Sequence, residues 1–169
     1  MPIYTYQDFN IEDLAFKDPI KTGSSYVGEA YLHSNLDQRL PIYIQCPNLI
    51  CSQLSCNNAS RNFMELELEK DCLEFYEFMS NIDERNILIA HQNSDKWFEE
   101  DFTLDTVDDF YRSIIRPKRG KKPPTMKLKL PIHQNKIVTQ CYYHDKTPAD
   151  LSQIKIGQPV VCIFQIIGL

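Results

Sequence analysis

The chain has 169 residues, 43% of them hydrophobic and 24% charged, with a formal net charge of −5. That length and apolar content fit one globular domain with a real core and exclude a disordered chain. No run of about 18 apolar residues occurs, so no membrane span is expected, and the start Met1-Pro2-Ile3-Tyr4 lacks the basic and apolar segments of a secretory signal.

Residues 1–24, punctuated by Pro2, Pro19 and Gly23, read as an N-terminal arm or an edge element. Residues 25–32, rich in Tyr and Val, read as a strand with Gly28 as a bulge. Residues 40–46 form a second strand in which Ile42 and Ile44 alternate with Tyr43 and Gln45. Residues 47–60, rich in Pro, Asn and Ser, read as a loop. Residues 62–68 alternate strictly, Met64, Leu66 and Leu68 to one side and Glu65, Glu67 and Glu69 to the other, which predicts a half-solvated strand. Its acidic face would repel phosphate, so a nucleic acid is expected to run elsewhere.

From residue 70 to 98 the period lengthens to that of a helix, and the length predicts either one helix or two with a break near 81–85. Trp97, Phe98, Phe75, Tyr76 and Phe78 lie at helical spacing and read as core. Thr106-Val107-Asp108-Asp109 resembles a capped start, predicting a helix over 106–115 that Pro117 stops. Residues 117–124 are a basic loop in which Gly120 and three prolines exclude a helix. Residues 125–130 and 136–143 read as strands, and the apolar run 159–167 as a central strand. The chain ends on that run, which suggests a missing last strand. Six strands with helices grouped in the middle predict an α+β fold, an antiparallel Greek-key (OB-like) β-barrel, as one domain over 25–169 with a helical insertion at 70–116.

Charge is sorted along the chain. Before Arg112 there are seven Lys and Arg against 21 Asp and Glu. Arg112, Arg116, Lys118, Arg119, Lys121, Lys122, Lys127, Lys129 and Lys136 then follow with no acid among them. A cationic strip on a repelling body is the electrostatic form of a phosphate-binding surface. Single strands are held by cations along the phosphates and by aromatic faces under the bases, each stacked base contributing about 1–3 kcal/mol. Tyr142, Tyr143, Tyr26, Tyr31 and Tyr43 sit on strand-like segments and are candidate platforms; neighbours in a strand face opposite ways, so only one of Tyr142 and Tyr143 can face a groove. The competing reading is that Lys127 and Lys129 solubilise an edge strand and the loop 118–122 stays solvated.

Enzymatic signals are scarce. The chain has no glycine-rich phosphate loop and no nucleophile elbow, and His33, His91, His133 and His144 stand alone. The acids Glu99, Glu100, Asp101, Asp105, Asp108 and Asp109 read as a solvated helix start rather than a metal cluster. The six cysteines, Cys46, Cys51, Cys56, Cys72, Cys141 and Cys162, include no Cys-x-x-Cys pair and read as reduced structural thiols. No catalytic residue, metal or cofactor is expected.

Several segments together resemble a family of proteins from nucleocytoplasmic large DNA viruses. They are Leu40-Pro-Ile-Tyr-Ile-Gln-Cys-Pro, Met64-Glu-Leu-Glu-Leu, the helix with Asn81-Ile-Asp83, Asn93-Ser-Asp-Lys-Trp97-Phe98, Pro124-Thr-Met-Lys-Leu-Lys-Leu-Pro131 and the stretch 160–169. The resemblance covers about residues 25–169, and some such proteins look related to the phage T7-type single-stranded-DNA-binding proteins. It implies an OB barrel and a non-enzymatic factor that coats single-stranded DNA during viral replication or recombination, in host cytoplasm or nucleus, together with replication or virion proteins. The family continues past Gly168-Leu169 with Trp-Phe and a further strand, and the phage-type proteins end in an acidic tail; neither is present. The alternative is a viral structural or interaction protein, a virion component or a protein-binding β-barrel.

Overall fold

The computed structural model describes residues 2–33, 40–56 and 61–168. In chain order the strands are β1 (Ile3–Thr5), β2 (Leu14–Phe16), β3 (Ile20–Thr22), β4 (Ser25–Val27), β5 (Ala30–Leu32), β6 (Ile42–Gln45), β7 (Leu49–Ser55), β8 (Phe63–Glu67), β9 (Ile115–Arg116), β10 (Thr125–Lys129), β11 (Ile132–His133), β12 (Lys136–Ile137), β13 (Cys141–Tyr142), β14 (Pro148–Ala149), β15 (Pro159–Val160) and β16 (Ile163–Ile166). Between β8 and β9 run the helices α1 (Leu73–Gln92), α2 (Ser94–Phe98) and α3 (Leu104–Phe110). The chain divides into two compact units. Unit 1 comprises Met1–Cys46, Glu77–Ser113 and Cys162–Leu169; unit 2 comprises Pro47–Tyr76 and Ile114–Val161.

Unit 1 contains a three-stranded sheet in the order β1-β6-β16, parallel between β1 and β6 and antiparallel between β6 and β16. Period two along β6 sends Ile42, Ile44 and Cys46 into the core, while Tyr43 and Gln45 face the other way. The segment read as an arm supplies β1, β2 and β3, and Phe9, Leu14, Ala15 and Phe16 are buried. Asn10 starts the turn before β2, its side-chain oxygen accepting from Glu12 N at 3.1 Å.

Of the two expected forms, the stretch 81–85 takes the unbroken one: Ile82 and Asp83 are buried and both belong to a continuous α1. The helix ends at Asn93, whose side chain donates to Ile89 O at 2.8 Å and so competes for a helix carbonyl. The last helix departs from expectation: α3 begins two residues early, with Thr103 as its cap accepting from Thr106 N at 3.3 Å, and ends at Phe110. Beyond it the backbone of Tyr111 becomes extended, and its hydroxyl donates to Asp83 Oδ1 at 2.7 Å and accepts from Asn86 Nδ2 at 2.9 Å. Two buried polar residues on α1 thus meet one phenol, which is why the chain leaves the helix before 115. Phe75, Phe78 and Trp97 are buried as expected, whereas Tyr76 and Phe98 are half-buried. Trp97 Nε1 and Lys96 Nζ both donate to Asp18 Oδ1, at 2.9 and 2.7 Å.

The strand expected over 25–32 is two strands separated at Gly28 and Glu29. A Cβ at Gly28 would stand 2.9 Å from Lys17 O, and one at Gly168 would stand 2.0 Å from Gly28 O. Three backbone segments therefore pass closer than any side chain allows. Ala30 N donates to Ile167 O at 2.9 Å and Lys17 N to Glu29 O at 3.0 Å across the same contact.

Unit 2 is built on a five-stranded antiparallel sheet in the order β15-β7-β8-β10-β9. β7 occupies part of the expected loop 47–60; residues 57–60 lie outside the described residues. Leu49 and Cys51 are buried, and the polar Ser52 fits because a register shift between Cys51 and Gln53 places it at a bulge, where its hydroxyl donates to Glu65 O at 3.2 Å. The strand expected over 136–143 is two two-residue pieces, β12 and β13, in separate ladders. The apolar run 159–167 is no central strand. It splits into β15 and β16, each the edge of a different sheet, and Ile163 and Ile167 are exposed.

The fold is mixed α+β with mostly strands and one main helix. Its sheets are open, with β1 and β16 as edges of one and β15 and β9 as edges of the other, so the closed Greek-key barrel expected from the strand count is not formed by these ladders. Short strands of two or three residues, which end pairing early, account for the difference.

Replacing Gly28 by Ala forces backbone to move and is expected to lower stability by about 1–3 kcal/mol in urea unfolding. Tyr111→Phe removes the donor to Asp83 and the acceptor of Asn86 and is expected to cost about 1–3 kcal/mol. Burial pushes the Tyr111 phenol well above its ordinary value of 10.0, with the Asp83 charge adding to it. Stability from the neutral phenol is therefore intact below about pH 10 and falls as the unfolded chain ionises at higher pH; that part of the alkaline loss is expected to vanish in Tyr111→Phe.

Candidate nucleic-acid interface

Register fixes the charged surface of unit 2. Across β8 and β10, Phe63 pairs with Lys129, Glu65 with Lys127 and Glu67 with Thr125; Thr125 also pairs with Arg116 of β9. Directly paired residues project to the same face of a sheet. Met64, Leu66 and Met126 fill the opposite, buried face. The acidic face and the lysine face, expected to be separate, are therefore one face with interleaved signs.

Glu65 is the centre of it. Its side chain is buried, and the ammonium of Lys118 bonds to Oε1. Burial pushes the Glu65 carboxyl up, but the Lys118 hydrogen bond and the charges of Lys118 and Lys127 outweigh it and hold it below its ordinary value. Lys127 lies with its ammonium 3.4 Å from the centroid of the Phe63 ring, a cation–π contact.

The other cations are differently placed. Arg116 and Lys129 are exposed on the sheet, and Arg119, Lys121 and Lys122 are exposed on the loop that joins β9 to β10. None of these five forms an ion pair with a carboxylate among the described residues. The loop turns at Gly120, whose φ of 77° is left-handed, and is closed at its far end by Leu68 N donating to Pro124 O at 2.9 Å. β9 covers only Thr125 and Met126, so the part of β10 that carries Lys127 and Lys129 lies beyond it.

Of the predicted site, Arg116, Lys118, Arg119, Lys121, Lys122, Lys127 and Lys129 share the sheet and its loop. Arg112 follows α3 and belongs to unit 1. Tyr142 and Tyr143 are in unit 2 on or beside the β13–β14 ladder, the two residues 56% and 52% exposed, with hydroxyls donating to Gln140 Oε1 at 2.9 Å and Gln153 Oε1 at 2.7 Å. Tyr26, Tyr31 and Tyr43 belong to unit 1, where Tyr26 packs edge-on against Phe98 and Tyr31 against His33. The residue missed by the sequence reading is Phe63, half-buried among the lysines. It shares the odd-numbered phase of Glu65 and Glu67, which was the available signal.

Among the described residues no three His, Cys, Asp or Glu converge as a metal site, and no helix is long and apolar enough to cross a membrane. Comparison with protein-family models, curated proteins and solved structures finds no match to this chain.

Lys118→Met is expected to cost about 1–2 kcal/mol at neutral pH. Because the folded Glu65 value is depressed, its contribution is present above the ordinary 4.5 and is lost as pH falls through the depressed value. The difference between wild type and Lys118→Met in urea titrations is expected to close in acid.

Proposed function

We propose that unit 2 binds single-stranded nucleic acid without catalysis. Arg116, Arg119, Lys121, Lys122 and Lys129 take the phosphates, and Phe63 with Tyr142 or Tyr143 offers ring faces to the bases. The observation that carries this reading is five exposed cations, unpaired with any described carboxylate, on one short stretch of chain. Neutralising phosphates supplies most of the affinity in such binding, and it needs free cations. Lys118 and Lys127 begin committed to Glu65 and Phe63, so they add less than their number implies. The reading rests on an open sheet and its loop and needs no closed barrel. The role implied by the family resemblance, coating unwound strands in viral replication or recombination, is its biological form.

A second reading has a specific observation behind it. Glu65 and Glu67 stand on the same face as the lysines, and a face of mixed sign suits a protein partner of mixed sign, as in a virion or interaction component.

Fluorescence anisotropy with labelled dT oligomers decides between them. Five phosphate contacts give a salt slope of about −3.5, or roughly a hundredfold loss of affinity between about 50 and 200 mM salt. Replacing Arg119, Lys121 and Lys122 by Ala is expected to reduce that slope by about two. Absence of binding at the lower salt rejects the nucleic-acid reading and leaves the protein-partner reading, which a nuclease-resistant pull-down then tests.

A further inference from the structure

Two cysteines of unit 1 face each other across a ladder. Ile163 of β16 pairs with Gln45 of β6, so the next residues, Cys162 and Cys46, stand opposite. Cys46 N donates to Cys162 O at 2.9 Å. In return Cys162 N donates to Cys46 Sγ at 3.1 Å, taking the sulfur where a backbone carbonyl is the usual acceptor. Opposed residues joined by a backbone hydrogen bond have Cα atoms about 5.5 Å apart, within the roughly 4.4–6.8 Å that a disulfide spans. Both side chains lie on the face of the sheet that carries Ile42 and Ile44. Cys46 is 1% exposed and Cys162 half-buried, so Cys162 is the more exposed residue of the two.

We propose that Cys46 and Cys162 form a redox modification site that closes to a disulfide on reaction with a low-molecular-weight disulfide such as oxidised glutathione. The sulfur of Cys162, the more exposed residue, attacks one sulfur of the oxidant and forms a mixed disulfide. The first glutathione leaves and takes up the proton lost by Cys162. Cys46 then gives its proton to water, its sulfur attacks that of Cys162, and the second glutathione leaves and is reprotonated. Two protein thiols are oxidised and one external disulfide is reduced to two thiols; no other reagent enters. In the reduced pair the Cys162 thiol, followed by its backbone N–H, outweighs burial and holds the Cys46 thiol below its ordinary value.

Among the described residues no other two cysteines stand opposite each other across a ladder. Cys51 pairs with Leu66 and Cys141 with Ala149 across their ladders. Burial pushes the Cys51 thiol up, and its sulfur lies 3.8 Å from Gln53 O. Cys72 lies 3.7 Å from Asn48 O.

The whole chain is incubated with oxidised glutathione, alkylated under denaturing conditions and mapped by mass spectrometry. The expected product is a peptide pair linked through Cys46 and Cys162, with the other four cysteines alkylated and the melting temperature raised. Cys46→Ser is expected to arrest the reaction at a persistent glutathione adduct on Cys162, and Cys162→Ser to leave Cys46 free of glutathione. A persistent adduct on Cys162 in the wild type, a link to a different cysteine, or both thiols unchanged overturns the proposal. The wild-type map decides the matter even where a variant fails to fold.

Discussion

The pairing of β8 with β10 is held by its apolar side, and the charged side follows from it. Met64, Leu66 and Met126 are almost wholly removed from water. Each such side chain contributes about 1.5–3 kcal/mol on burial, whereas a cross-strand charge pair contributes about 0.2–1 kcal/mol. A slip of one residue would expose that set and bury Lys127 and Lys129, so apolar burial selects the register. Glu65 is then carried into a nearly closed position opposite Lys127, and a carboxylate there needs a cation. Lys118, at the start of the loop that joins β9 to β10, supplies it.

That requirement sorts the basic residues into two groups. Lys118 and Lys127 belong to the internal balance of the sheet. The exposed cations of the loop and of the sheet rim carry the outward field. The loop is also restrained, anchored near its start by Lys118 and at its end by Pro124, with Gly120 supplying the left-handed turn between. Restraint at both ends lowers the conformational entropy of the loop.

Strict alternation made β8 and β10 legible, because one buried face imposes period two on the residues themselves. Helical spacing likewise disclosed the helices and the burial of Phe75 and Trp97. What remained hidden depends on partners distant in sequence. Whether α1 runs unbroken through Asn81 and Asp83 stayed open, because the polar Asp83 finds its partner in Tyr111, 28 residues beyond it. β7 was obscured by its serines, which are tolerable only because a bulge and a carbonyl of β8 accommodate Ser52. The apolar run at 159–167 carried no mark of where one sheet hands over to another. Within the site, the positions of the lysines along β10 were readable, but not the face they share with Glu65, since period two gives a strand's two sides without saying which side its neighbour matches.

Trp97 is the sole tryptophan, and its indole N–H is held by Asp18 within unit 1. Intrinsic emission on denaturation therefore reports the surroundings of that one ring. The five-stranded sheet contains no indole of its own and is optically silent at the red edge of the protein spectrum. An indole introduced at Phe63 would give unit 2 its own signal.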